Sequence, residues 1–122
     1  MTCGRTRRMS ECLFCRIIRK EIPASIIYED DHVLAFNDIN PQAPLHALVI
    51  PKRHIASLNS LSAQDDALVG EVIRRAAAIA RDKGYADRGF RTVFNTNAEA
   101  GQTVFHIHLH LLAGRGLTWP PG

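Results

Sequence analysis

The sequence predicts an α+β domain in which an antiparallel sheet of five strands carries two helices. Three features predict it: short runs of β-forming side chains closed by turn signals, two stretches with apolar residues at helical spacing, and alternating histidine and aliphatic residues near the C-terminus. With 122 residues and 46% hydrophobic content, the chain can bury one core and is too short for two ordinary domains. Residues 10–122 are expected to form that domain, and residues 1–9 a disordered basic tail.

From Glu11 to Glu21, Leu13, Phe14, Ile17 and Ile18 recur at helical spacing, with Ser10 as N-cap and Pro23 as stop. Ser25 to Glu29 and His32 to Asn37 read as strands joined by a tight turn at Asp30-Asp31. A third strand, His46 to Ile50, follows the turn-rich Asn40-Pro41-Gln42-Ala43-Pro44 and ends at Pro51, which has no N–H to donate to a ladder. Ser62 and Asp65 form a capping box ahead of the longest helix, whose apolar stripe is Leu68, Val69, Val72, Ile73, Ala76, Ile79 and Ala80. Gly84 supplies its end. Phe90 to Asn95 and Val104 to Leu112 complete the sheet, joined by the turn-prone Thr96 to Gly101.

The formal charge of +3 suggests an anionic partner, but Arg5, Arg7 and Arg8 account for it, and removing them leaves a neutral body. Such a body gives no support for a nucleic-acid groove and points to single nucleotides rather than polymers. No apolar run approaches the roughly 20 residues of a membrane span, and residues 1–20 lack the apolar centre of a secretion signal. A cytoplasmic protein with no membrane partner is expected, and three cysteines in a reducing compartment argue against a disulfide framework.

His106, His108 and His110 alternate with Ile107, Leu109 and Leu111. In a strand, residues i, i+2 and i+4 share a face, so three imidazoles line up about 6 to 7 Å apart while the aliphatics point the other way. A merely solvated face would mix Thr, Lys and Glu. Two uses remain for such a row, metal chelation or acid, base and nucleophilic chemistry near neutral pH. Just upstream, Gly101-Gln102-Thr103 offers flexible backbone, an amide and a hydroxyl suited to phosphate oxygens.

With these residues in view, the sequence closely resembles the histidine triad family, whose signature of three alternating histidines and two further apolar residues stands here at His106 to Leu112. The resemblance extends to Phe36-Asn37-Asp38-Ile39, Pro41-Gln42-Ala43-Pro44, His46 to His54, Asn95, Gly101-Gln102-Thr103-Val104-Phe105 and Trp119-Pro120-Pro121-Gly122. That ending is similar to the Hint branch, the purine nucleoside phosphoramidases, rather than the dinucleoside polyphosphate hydrolases. The resemblance implies that His108 attacks the α-phosphorus and carries the nucleotide as a phosphohistidine, a role suited to a neutral imidazole. It implies that His110 touches the phosphate and that His46 hydrogen-bonds within the triad and relays protons. Asp38 matches the carboxylate that holds the ribose hydroxyls, and Phe14, Ile17, Phe36 and Ile39 the walls around a purine. Asn95, Gly101, Gln102 and Thr103 match the contacts to phosphate and leaving group; Thr103 stands where close relatives often have serine. The resemblance further implies a homodimer whose sheets join, with Trp119 reaching the neighbour's site. It calls for no organic cofactor.

Cys12-x-x-Cys15 has the spacing of half a zinc site, with no second local pair to complete it; a thioredoxin-like redox context is absent, and two cysteines that bind nothing remain the alternative. Zinc-binding bacterial members of the family imply the ligand set Cys12, Cys15, His54 and His106, whose four ligands would fill a tetrahedral shell and make the zinc structural. His32 fits no pattern and reads as a surface residue. Against the phosphoramidate hydrolase stand two alternatives, a dinucleoside polyphosphate hydrolase with the same nucleophile and a non-catalytic nucleotide-binding interaction protein.

Overall fold

The computed structural model describes residues 12–122. A short helix α1 (Leu13–Ile18) leads into β1 (Ile26–Glu29), β2 (Val33–Asn37) and β3 (Leu45–Pro51). Helix α2 (Asp66–Asp82), β4 (Phe90–Phe94) and β5 (Leu109–Ala113) follow. The strands form one antiparallel sheet in the order β1-β2-β3-β5-β4, so β3 and β5 lie inside it and β1 and β4 form its edges.

Local chemistry explains the connections. The Asp30 carboxylate accepts from the backbone N–H groups of His32 and Val33, both at 2.8 Å, which closes the first hairpin. Asp65 accepts from Ser62 N–H at 2.8 Å, completing the capping box at a 3-10 turn (Ala63–Asp65) that runs directly into α2. Gly84, at φ +88°, turns the chain out of that helix.

Each face of the sheet carries one helix, and every residue of β3 is buried because both faces are covered. Val72, Ala76, Ile79 and Ala80 of α2 pack on Val33, Ala35, Ala47, Val49, Leu109 and Leu111. The two alanines let the helix lie close to the sheet, and each large aliphatic fully buried there contributes about 1.5 to 3 kcal/mol. On the opposite face Phe14, Cys15 and Ile17 of α1 pack on Leu34, Phe36, Leu48 and Ile50. The histidines lie on this second face.

Three expectations need correction. The first helix covers only Leu13–Ile18 and is capped by Cys12 rather than Ser10, with no side-chain cap bond; Lys20, at φ +65°, has already left helical geometry. Ser10, Glu11 and the basic tail lie outside the described residues. Ile73 is 48% exposed, because it sits on the side of α2 turned away from the sheet, where Leu68 and Val69 are only half-buried. The fifth strand begins at Leu109 rather than Val104, so His106 and His108 precede the regular ladder. The alternation nevertheless continues through them: Ile107 and Leu109 are buried in the core while the imidazoles cluster against α1.

Candidate active site

The site is built by β3, β5, the segment entering β5, and α1. His46 projects from β3 and His110 from β5, and the register that pairs Leu48 with His110 brings His46 Nε2 to 2.9 Å from His110 Nδ1. Rings of His108 and His110 lie with centroids 5.0 Å apart, closer than strand spacing alone predicts, since the chain at His108 is not held in the pleat. Phe14 stands edge-on to His108 at 5.0 Å and to Phe36 at 5.5 Å.

Hydrogen-bond partners fix the tautomers of all three triad imidazoles. His108 Nδ1 lies 2.8 Å from the carbonyl oxygen of His106, which can only accept, so Nδ1 carries the proton and Nε2 keeps its lone pair. Gln42 N–H donates to His46 Nδ1 at 3.0 Å, so a neutral His46 carries its proton on Nε2 and donates to His110 Nδ1. His110 must then carry its own proton on Nε2. Asp38 Oδ2 lies 3.4 Å from His46 Nε2 and shares that donor, while its other oxygen accepts from Asn40 N–H at 2.8 Å. The result is one bare imidazole nitrogen beside one N–H donor.

Electrostatics keep these rings neutral. Burial lowers His108 and His46, with Asp38 pulling the other way in both cases. His110 is pushed down to about 4, by burial first and then by His108 and His46. A neutral imidazole at physiological pH is what a nitrogen nucleophile requires.

The triad opens into a cleft of about 290 Å³ whose walls include Phe14, Ile17, Phe36 and Leu48, with Asp38, Thr103, His108 and His110 as polar groups. An apolar slot with a few converging polar groups suits a planar heterocycle joined to a charged group. Ile39 borders it but is 100% exposed, so it is a rim residue and not an enclosing wall.

Other candidate residues lie differently. Gln102 is buried with its amide turned inward: Oε1 accepts from Asn97 N–H at 2.9 Å, and Nε2 donates to the carbonyls of Ala56 and Val104. It organises the loop in which Gly101 takes φ +82°. Asn95 and Trp119 share a separate cavity along β4, and Trp119 is 83% exposed. Sequence reasoning missed the main-chain groups that set the tautomers, Gln42 N–H and the carbonyl of His106, because a backbone group leaves no side-chain signature. It also missed Leu13, Leu48 and Val104, which border the cleft and read as ordinary core.

Beside the triad, Cys12, Cys15, His54 and His106 bring two sulfurs and two imidazole nitrogens within 4.8 Å of one another. His106 is fully buried, and its Nε2 donates to the carbonyl of Pro51 at 2.8 Å. Its Nδ1 lone pair is thereby aimed at Cys12 Sγ, 3.6 Å away, and Cys15 Sγ, 3.5 Å away. His54 Nδ1 lies 3.2 Å from Cys15 Sγ. Soft sulfur and imidazole donors converging in this number fit zinc, and a ligating histidine commonly donates its other N–H to a carbonyl as His106 does. Burial pushes His106 down to about 4, the deprotonated state a ligand needs.

A pair of tautomer-fixed imidazoles above an apolar cleft, on the face of the sheet opposite α2, marks a small α+β protein with a histidine-lined cleft. The chain belongs to the HIT domain family, which it matches over residues 19–117. It is 50% identical over 107 residues to a protein of Escherichia coli K12 named purine nucleoside phosphoramidase, covering 88% of this chain and 90% of that one. An uncharacterized HIT-like protein of Synechococcus elongatus is 55% identical over 115 residues, covering 93% of this chain and all of that one. Among solved structures, a HIT family hydrolase from Legionella pneumophila superposes with a TM-score of 0.91 at 52% identity, covering 92% of this chain and 100% of that chain.

Proposed function

We propose that the chain is a hydrolase that cleaves the P–N bond of adenosine or guanosine 5′-phosphoramidates. The observation that carries this reading is the bare Nε2 of His108 beside the Nε2–H donor of His110 at the head of the cleft. His108 Nε2 attacks the α-phosphorus, the P–N bond breaks, and the amine leaves with a proton taken from the site. Water then attacks the phosphohistidine, releasing the nucleoside monophosphate and restoring His108. His110 donates to a non-bridging phosphate oxygen, where charge grows in the transition state. His46 sets the His110 tautomer and passes protons along the pair.

The purine lies between Phe14, Ile17 and Phe36, with Ile39 at the rim, and Asp38 binds the ribose hydroxyls. Thr103 and Gly101 face the phosphate and leaving group, and Gln102 acts by shaping their loop. The similarity to the E. coli phosphoramidase supports this choice of substrate.

Cys12, Cys15, His54 and His106 would hold zinc, which, with four protein ligands and no place for water, serves as a structural cross-link between α1 and the sheet. Two copies pair through the exposed β4 edge, where Phe90 and the outer side of α2 at Ile73 offer apolar surface; Trp119 reaches the neighbour's cleft, and Asn95 is assigned to the phosphate and leaving group. No helix among the described residues is long and apolar enough to cross a membrane. Two buried cysteines held as thiols suit the reducing cytoplasm.

Steady-state hydrolysis of adenosine 5′-phosphoramidate, with a diadenosine polyphosphate as competing substrate, tests the reading. Rapid P–N cleavage lost in His108→Ala is expected. AMP binding without cleavage would overturn it in favour of a nucleotide-binding partner protein, and preferred turnover of the diadenosine compound would reassign the leaving group. Sedimentation of wild type and Ile73→Glu tests the dimer; a monomeric wild type would remove it.

A further inference from the structure

We infer that His106 is a positioning residue that links the cysteine-histidine cluster to the nucleophile, so that metal held there fixes the tautomer and placement of His108. The inference rests on the reading of His108 as nucleophile. It starts from the finding that β5 begins only at Leu109, which leaves His106 and His108 ahead of the regular ladder. A strand residue inherits its position from its neighbours through paired backbone bonds; a residue outside the ladder needs other anchors.

His106 supplies them from both ends of its ring and from its backbone. Its Nε2–H is tied to the carbonyl of Pro51, the last residue of β3, at 2.8 Å. Its Nδ1 faces Cys12 Sγ and Cys15 Sγ at 3.6 and 3.5 Å. The adjacent backbone is held by Ile107 N–H donating to the carbonyl of Ile55 at 2.7 Å. The His106 carbonyl so placed receives the His108 Nδ1–H at 2.8 Å. One residue therefore faces the ligand cluster with its side chain and sets the nucleophile's proton with its main chain.

The metal-free contacts to sulfur are long and weakly directional, whereas a metal–nitrogen bond would hold the ring at a fixed distance and angle. Phe14 gives the cluster a second route to the nucleophile. It lies between Cys12 and Cys15 in sequence, and its ring meets both His106, at 6.0 Å, and His108, at 5.0 Å. Loosening the cluster frees His108 to exchange tautomers and puts a proton on Nε2 for part of the time, which blocks attack.

The test uses the full chain loaded with zinc, stripped by a chelator, and reloaded with zinc or cadmium-113. The His108 tautomer is read from its ring ¹⁵N shifts, alongside turnover of adenosine 5′-phosphoramidate. The expected result is a single Nδ1–H tautomer in the loaded protein, scalar coupling between cadmium-113 and His106 Nδ1, and mixed tautomers after stripping. Stripping lowers kcat by about 10- to 100-fold, the usual cost of disturbing a group that orients a metal-linked site, with a smaller change in KM. Reloading restores both readouts. Should the stripped chain unfold, Cys15→Ser, which keeps a weaker oxygen ligand, repeats the comparison at low and at saturating zinc. An unchanged His108 tautomer and unchanged kcat without metal would overturn the inference. Zinc-loaded protein that shows the tautomer shift but cleaves nothing would overturn the proposed reaction and leave the coupling standing.

Discussion

Replacing His46 with leucine separates the role of the hydrogen-bond relay from that of the nucleophile. His46 is buried, and its two nitrogens join Gln42 N–H, at 3.0 Å, to His110 Nδ1, at 2.9 Å. Leucine fills a similar space but neither donates nor accepts. Two half-buried polar groups then lose their partner, at up to about 1 to 3 kcal/mol each. Burial of the leucine returns roughly 1.5 to 3 kcal/mol, so the net loss is at most about 4.5 kcal/mol. A domain with the usual 5 to 15 kcal/mol in hand, as an order of magnitude, stays folded. Activity suffers more: without its donor partner, His110 is free to move its proton to Nδ1 and present a lone pair to the phosphate. Loss of one preorganised donor to a developing oxyanion costs about 10²- to 10³-fold in kcat. Thermal unfolding and steady-state kinetics on the same preparation measure the two effects. A stable His46→Leu protein with wild-type kcat would refute the relay, and with it the assignment of the His110 Nε2–H as the phosphate donor.

Further outcomes follow from the same geometry. Burial holds His110 down to about 4 and lowers His46, whereas unfolded imidazoles protonate near pH 6.5. Between about pH 6.5 and 4 the unfolded chain binds more protons, so stability is full above this window and falls as the pH drops through it; urea midpoints across pH 7 to 4 should fall accordingly, and an unchanged midpoint would contradict neutral burial. Gly114 has φ +101°, and a Cβ there would lie 2.8 Å from Pro44 Cβ; Gly114→Ala should cost about 2 to 4 kcal/mol from left-handed backbone and overpacking, read as a lower urea midpoint. Asp65→Ala removes the acceptor for Ser62 N–H and the partner of Arg53. It should lower stability by about 0.5 to 2 kcal/mol in denaturant titration while leaving turnover unchanged, since α2 covers the face opposite the histidines.

Much of this protein is legible in its sequence because its signals are local. Asp30-Asp31, the Ser62 to Asp65 box and Gly84 each act through hydrogen bonds or dihedral preferences spanning a few residues, and the structure has them where the sequence expects them. The histidine alternation is similarly local. What fails is set at longer range. The stripe on α2 includes Ile73 because periodicity measures the width of an apolar face, not how far the sheet extends beneath it. The strand expected from Val104 begins only at Leu109 because Val104 to His108 have strand-like side chains while their backbone has no regular partner in β3. Gln102 illustrates a third limit: its amide could serve either phosphate or its own loop, and only the position of Ala56, far away in sequence, decides for the loop.

The alternation along β5 also makes folding a form of proofreading. Pairing Ala47 with Leu111 and Leu48 with His110 sends the aliphatics under α2 and the imidazoles toward α1. A shift of the strand by one residue would exchange the two sets and press His110 into a core of valine, alanine and leucine. A chain misaligned in this way cannot complete its main core, so molecules that reach the stable fold carry His110 in register with His46. An error in the pairing of His46 with His110 is therefore first an error of packing.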